Sequence, residues 1–273
     1  TDASNRSIWK ALENNAKGQL KRELRGGRET AYSYDPRGFT TGIASPGIIN
    51  QTYQFSQSGN LEYRQDGLYK EAFTYDAQQR LTNWNVHHNN QLVQSNGQSY
   101  DPLTGTIATR SALGDLSMIY SLNGPHSLDS IKGMPSSFPA DNLTVTYTDF
   151  SKIETLSEGN KLYTLIYGVD DQRRKSVCQV NGVTRQTRYY LGDYEEEIDA
   201  AGNIRKIHYL SGGAVLIRSN GQDSLLYGYA DYLGSLTTLT DANGNVLERY
   251  AYDPWGQRRD SSDWTQQDKA SIR

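Results

Sequence analysis

The strongest constraint on how this chain can fold is a turn that recurs along it. A Gly-centred form appears at Asn15-Ala16-Lys17-Gly18-Gln19-Leu20, Gln57-Ser58-Gly59-Asn60-Leu61, Asp199-Ala200-Ala201-Gly202-Asn203-Ile204 and Asp241-Ala242-Asn243-Gly244-Asn245-Val246. In each, a polar residue opens the turn, Gly takes a left-handed conformation, and an amide residue leads into an aliphatic one, which is hairpin chemistry with a bulge. A second punctuation is Tyr-Asp followed by a turn: Tyr34-Asp35-Pro36-Arg37-Gly38, Tyr75-Asp76-Ala77-Gln78-Gln79-Arg80, Tyr100-Asp101-Pro102-Leu103-Thr104-Gly105 and Tyr252-Asp253-Pro254-Trp255-Gly256. Here Tyr ends a strand, Asp caps the turn and Pro presets φ.

Tyr34, Tyr53, Tyr75, Tyr100, Tyr120, Tyr147, Tyr167, Tyr189, Tyr209, Tyr229 and Tyr250 recur at intervals close to 20 residues. Two strands of about seven residues and two short turns need about that length, so the period is one hairpin. The reading is all-β: consecutive β-hairpins that twist and coil into a curled, spiralling sheet, because an open sheet of that many strands cannot stay flat. A single repeat array over residues 1–273 is expected, with an irregular insertion near 123–141, where Pro125, Pro135 and Pro139 cluster. One segment argues for a helix: Ile8, Leu12, Ala16, Leu20 and Leu24 are four apart. Asn14-Asn15-Ala16-Lys17-Gly18 would be a poor helix interior and matches the repeated turn, so a hairpin is expected there.

Composition supports this picture. Twenty tyrosines and 25 glycines stand against 36% hydrophobic residues, and mean hydropathy is -0.74. Such a chain buries apolar surface thinly, and tyrosine suits strands whose faces meet different environments. One face is expected to be polar and wet, the other to carry stacked Tyr and Leu. No apolar run is long enough to span a membrane, and Thr1-Asp2-Ala3-Ser4 does not open a secretion signal. A lone Cys178 excludes an internal disulfide, and a net charge of -3 without a basic stripe argues against nucleic-acid binding.

Residues able to carry chemistry are few. No nucleophile elbow, H-E-x-x-H, Walker loop or G-x-G-x-x-G occurs, so no catalytic residue, cofactor or metal is expected. In Asp193-Tyr194-Glu195-Glu196-Glu197-Ile198-Asp199 the alternation puts Asp193, Glu195, Glu197 and Asp199 on one strand face, read as solvated rather than metal-binding. His87-His88 reads as part of a polar turn. Trp84, Trp255 and Trp264 are candidates for stacking on a sugar, although in a hairpin ladder aromatics more often lock neighbouring strands.

The segment 231–256 resembles the core-proximal part of RHS (rearrangement hotspot) repeat proteins, the core-proximal region being taken as 227–260. Asp231-Tyr232-Leu233-Gly234-Ser235, Thr240-Asp241-Ala242-Asn243-Gly244-Asn245 and Tyr252-Asp253-Pro254-Trp255-Gly256 stand in that order, and 32–38 and 73–81 look like ordinary YD repeats. The repeat-defining positions are Tyr34, Asp35, Gly38, Tyr75, Asp76, Tyr100, Asp101, Gly202, Asp231, Gly234, Asp241, Gly244, Tyr252, Asp253 and Gly256. The resemblance extends to the C subunits of Tc toxins and to teneurins. It implies part of a hollow β-shell that encloses a C-terminal toxin or effector in a secreted or surface bacterial protein, with no enzymatic role for this stretch. The alternative is an adhesive or carbohydrate-binding module. The family's self-cleavage motif is expected beyond Arg273, and Asp253-Pro254-Trp255-Gly256 is read as a structural turn. The expected partners are the rest of the same polypeptide and the enclosed effector, with self-association through open strand edges.

Overall fold

The computed structural model describes residues 7–111, 116–120, 128–133 and 144–266. Among them there is no α-helix, and apart from one 3-10 turn at Ser211–Gly213 every element is a strand. Twelve antiparallel strands form the first sheet in chain order: β1 (Trp9–Asn14), β2 (Leu20–Arg25), β3 (Arg28–Tyr34), β4 (Thr40–Ser45), β5 (Ile49–Phe55), β6 (Leu61–Asp66), β7 (Tyr69–Tyr75), β8 (Leu81–His88), β9 (Gln91–Tyr100), β10 (Ile107–Arg110), β11 (Leu116–Tyr120) and β12 (Leu128–Lys132). Eleven more form the second, again in chain order: β13 (Thr144–Tyr147), β14 (Ile153–Glu158), β15 (Lys161–Tyr167), β16 (Arg173–Val180), β17 (Val183–Leu191), β18 (Tyr194–Asp199), β19 (Ile204–Leu210), β20 (Ala214–Ser219), β21 (Gln222–Ala230), β22 (Leu236–Asp241) and β23 (Val246–Arg249). A last small hairpin, β24 (Ala251–Tyr252) and β25 (Arg258–Arg259), follows. The segment that could have been helical is the β1–β2 hairpin. The insertion expected at 123–141 lies outside the described residues, apart from 128–133.

The two punctuations of the sequence are one loop. In ten places among the described residues the first residue of the loop donates its N–H to the carbonyl four residues on and accepts from the N–H three residues on; the loops open at Asn15, Asp35, Ser56, Asp76, Thr148, Gly168, Asp199, Asp231, Asp241 and Asp253. The fourth residue has a positive φ each time, 80° at Gly18 and 83° at Gly202, for example, and non-glycines accept it at Gln79, Ser151 and Asp171. Nine of the ten openers cap the loop through a side-chain oxygen that takes the N–H of the fifth residue. Asp and Asn lead because their short side chains bring a carbonyl-type oxygen back to the N–H groups of the residues that follow. At Asp101 the loop has one extra residue and closes on Thr106.

Because the sheet is an antiparallel meander, the loops opening at 15, 35, 56 and 76 stand on one rim, and tight turns such as Gly26-Gly27 and Asn89-Asn90 stand on the other. Neighbouring loops on the first rim are tied together: Gln19 Nε2 donates to the Gly38 carbonyl at 2.8 Å, and Arg37 Nη1 to that of Ser56 at 2.5 Å. The strand-end tyrosine explains its own hydroxyl. Tyr34, Tyr75, Tyr100 and Tyr167 donate to the carbonyls of Leu20, Leu61, Leu81 and Ile153 at 2.7–2.9 Å, where the preceding loop has interrupted the ladder. A phenylalanine would leave that carbonyl without this bond.

The regular tyrosine series therefore mixes two classes. Tyr53 and Tyr229 are not strand ends; they face inward and are buried with Tyr227, Ile43, Ile48, Ile49 and Ala214 in the main apolar cluster, which is shared by β4–β5 and β20–β21. The late strands thus pack on the early ones. The opposite face of the first sheet carries cross-strand pairs of small polar residues, Thr74 with Asn83, Asn85 with Ser95 and Ser99 with Thr109.

Candidate functional site: a polar seam between the sheets

The covered face of the first sheet is unusual for its buried charge. Alternation along β7 puts Tyr69, Glu71, Phe73 and Tyr75 on one side, so Glu71 is carried inward with the aromatics. It is fully buried, at 0% exposure. Arg64 on β6 reaches its carboxylate at 2.6 Å, and Arg259 on β25 makes two bonds to it at 2.9 and 3.1 Å. Arg64 also donates to the Tyr252 carbonyl at 2.5 Å, and Arg259 lies 4.1 Å over the Trp264 ring. Burial works to raise the Glu71 carboxyl, but Arg64 and Arg259 outweigh it and hold it below the ordinary glutamate range. Burial also pulls the Arg259 guanidinium down, against the opposing pull of Glu71.

A second buried carboxylate anchors the other end. Glu23 on β2, 2% exposed, accepts from Trp9 Nε1 at 2.6 Å, Arg25 Nη2 at 2.5 Å and Tyr32 Oη at 2.8 Å. Arg25 then bonds the Gly228 carbonyl on β21 and lies 4.9 Å over the Tyr229 ring. Burial, then the Glu23 charge, pushes the Tyr32 hydroxyl up.

Between these ends, Gln51 Nε2 bonds Thr237 Oγ1 at 3.2 Å and Asp66 Oδ2 at 3.1 Å, while the Tyr53 hydroxyl bonds its Oε1 at 2.6 Å. Arg28 donates to the Asn243 carbonyl at 2.6 Å, and Arg249 on β23 returns the pattern by donating to Ile48 at 2.8 Å. Arginine suits this work because its planar fork serves a carboxylate and a carbonyl at once. The seam is an internal packing surface between early and late strands, with buried carboxylates met by guanidiniums across it. It contains no nucleophile held by a base, and among the described residues no group of three His, Cys, Asp or Glu side chains is placed to hold a metal.

The predicted site residues fall into three places. The repeat-defining Asp and Gly residues at 35, 38, 76, 101, 202, 231, 234, 241, 244, 253 and 256 form the loops described above, with Tyr34, Tyr75, Tyr100 and Tyr252 preceding four of them. Trp84 and Trp264 are buried, at 2% and 8% exposure, which takes both rings out of reach of a sugar. Trp84 faces inward beside Phe73 on β7, and Trp264 is stacked on Tyr69 at 5.3 Å. Trp255 is 43% exposed, with the Arg110 guanidinium 4.6 Å from its ring and Arg110 also 3.3 Å from Asp253. In the acidic run, Glu195 and Glu197 are paired with Arg188 on the neighbouring strand β17 rather than free in solvent. His87 and His88 end β8, and Asn89-Asn90 makes the turn. Glu23, Arg64, Glu71 and Arg259 were not singled out from sequence; the signal available was their strand alternation with large aromatics.

No family model matches the sequence, and no curated protein matches it. Solved structures do. The chain is similar to "Crystal Structure of TcdB2-TccC3 without hypervariable C-terminal region" at TM-score 0.73 and 15% identity, over 92% of this chain and 16% of that one. The structures titled TcdB2-TccC3-Cdc42 and TcdB2-TccC3 match at TM-scores of 0.73 and 0.71, with 15% and 16% identity, over the same shares of both chains. The chain thus spans about a sixth of those proteins. Among the described residues no helix is long and apolar enough to cross a membrane. With hairpin after hairpin in chain order and late strands laid over early ones, the chain has the fold of a section of the TcdB2-TccC3 structures.

Proposed function

We propose that this chain is a non-catalytic section of an RHS-type wall, part of a shell that encloses an effector polypeptide carried by the same secreted or surface bacterial protein. The observation that carries the reading is the likeness to the TcdB2-TccC3 structures over 92% of the chain. The seam supports it: Arg259 clasps buried Glu71 from late in the chain, and Arg25, held by buried Glu23, reaches the Gly228 carbonyl, so early and late strands are tied together and the curl of the ribbon is fixed, as a wall needs. The whole chain then acts as one array, with 227–260 leading toward the core of the parent protein and the exposed edge of β1 meeting further wall. The test is electron cryomicroscopy of the natural full-length polypeptide. The reading expects residues 9–249 inside a closed wall with density enclosed; a free-standing unit with an empty surround would overturn it. The competing adhesive reading rests on Trp255, the exposed ring of the three candidates. It expects a positive glycan array that Trp255→Ala abolishes.

A further inference from the structure

Where the last hairpin crosses the tight-turn rim of the first sheet, a cavity of about 490 Å³ opens between the turns at Gly47 and Gly67 and the β23–β24 junction. That size is in the range of small-molecule sites. Two opposite charges line it, Asp66 from the end of β6 and Arg249 from the end of β23, and no ion pair joins them among the described residues. Each is fixed from behind. Asp66 Oδ2 is held by Gln51, which is itself anchored on Thr237 and Tyr53. Arg249 Nη1 is held by the Ile48 carbonyl. Among the described residues neither Oδ1 of Asp66 nor Nε and Nη2 of Arg249 has a hydrogen-bond partner. The rest of the lining is mixed: Ile48, Leu68, Tyr69 and Tyr250 give it apolar and aromatic surface, beside polar residues such as His88 and Ser262.

We propose that this cavity binds a free α-amino acid with an apolar side chain, Asp66 taking its ammonium, Arg249 its carboxylate, and the apolar and aromatic surface its side chain. The separated, pre-held pair is what distinguishes this from a structural salt bridge. A ligand with one charge leaves the other charged group unanswered in a partly desolvated space, whereas a zwitterion answers both. Sugars fit poorly, since Tyr69 already packs against His88 and Trp264. The inference is independent of the shell reading.

The experiment is isothermal titration calorimetry on the full 273-residue chain with L-phenylalanine, phenethylamine, 3-phenylpropionate and methyl glucoside. L-Phenylalanine is expected to bind about tenfold or more tightly than either singly charged analogue. Asp66→Asn, which keeps an oxygen for Gln51, and Arg249→Lys are each expected to weaken it by about tenfold, with the thermal transition of each variant showing that it is folded. No heat with L-phenylalanine at millimolar concentration, equal binding of phenethylamine, or binding of the glucoside alone would each overturn the proposal.

Discussion

Replacing Glu71 by glutamine changes one atom type and removes the negative charge between two buried guanidiniums. Arg64 and Arg259 are 15% and 7% exposed at the side chain, so neither can turn to water without opening the seam. Removing one partner from a buried ionic cluster costs about 3–5 kcal/mol, most of it from the charge left uncompensated. Glutamine keeps one acceptor, so the lower end, about 3 kcal/mol, is expected. For a chain of this size that lowers Tm by roughly 6–12 °C. The half-buried Glu62, which accepts from Gln54 at 2.7 Å and has no ion pair among the described residues, is the control; Glu62→Gln should stay within about 0.5 kcal/mol. Urea unfolding of both variants gives the comparison without relying on reversibility after heating. The cluster also predicts non-additivity: Arg259→Met should cost less in the Glu71→Gln background than alone, since one unpaired charge is then gone. The acid limb carries the sign. Because the folded-state pKa of Glu71 is depressed, its stabilisation is complete above the unfolded-state value and is lost as pH falls through the folded-state value. The wild type should lose stability over that window more steeply than Glu71→Gln. Equal urea midpoints for Glu71→Gln and Glu62→Gln would refute the reasoning.

Three further outcomes are expected. Tyr34→Phe, Tyr75→Phe and Tyr167→Phe each remove one rim hydrogen bond and should cost about 0.5–1.5 kcal/mol by urea unfolding, with faster amide exchange in the loops just before the bonded carbonyls of Leu20, Leu61 and Ile153. Gly202→Ala at φ 83° meets no atom and should cost about 1–2 kcal/mol from backbone alone; Gly59→Ala, 3.2 Å from the Phe39 ring, should cost more, and Gln79→Gly at φ 63° should be close to neutral. Burial raises the Asp66 carboxyl, with Gln51 and Arg249 opposing. A raised folded-state pKa means stability present at low pH and lost as pH rises through it, so Asp66→Asn should raise the urea midpoint at neutral pH and leave it unchanged in strong acid.

The loops were legible because their chemistry is local: Asp35, Asp76 and Asp253 announce themselves wherever a capping oxygen and a left-handed residue fall three apart. The β1–β2 hairpin was legible for the same reason, since Asn15 and Gly18 outweighed helical spacing. What covers each strand was not legible. Glu71 in Tyr69-Lys70-Glu71-Ala72-Phe73 alternates with aromatics, but besides nearby Arg64 the guanidinium that clasps this inward carboxylate is Arg259, almost two hundred residues later. Trp84 followed the same rule, since its place beside Phe73 was readable only once the face was known to be covered. Tyr53 and Tyr229 fell into the tyrosine period by spacing, yet their work is packing, because the hairpin period and the strand-end position are separate facts.

The claim that joins fold to function is that the seam closes a wall around a polypeptide. The measurement is protease protection of the parent polypeptide's downstream segment, in the natural full-length protein and in its Glu71→Gln variant. The account predicts that the wild type shields that segment and that opening the seam exposes it at protease concentrations that leave the wall strands uncut. Equal cleavage of the segment in both proteins would contradict it.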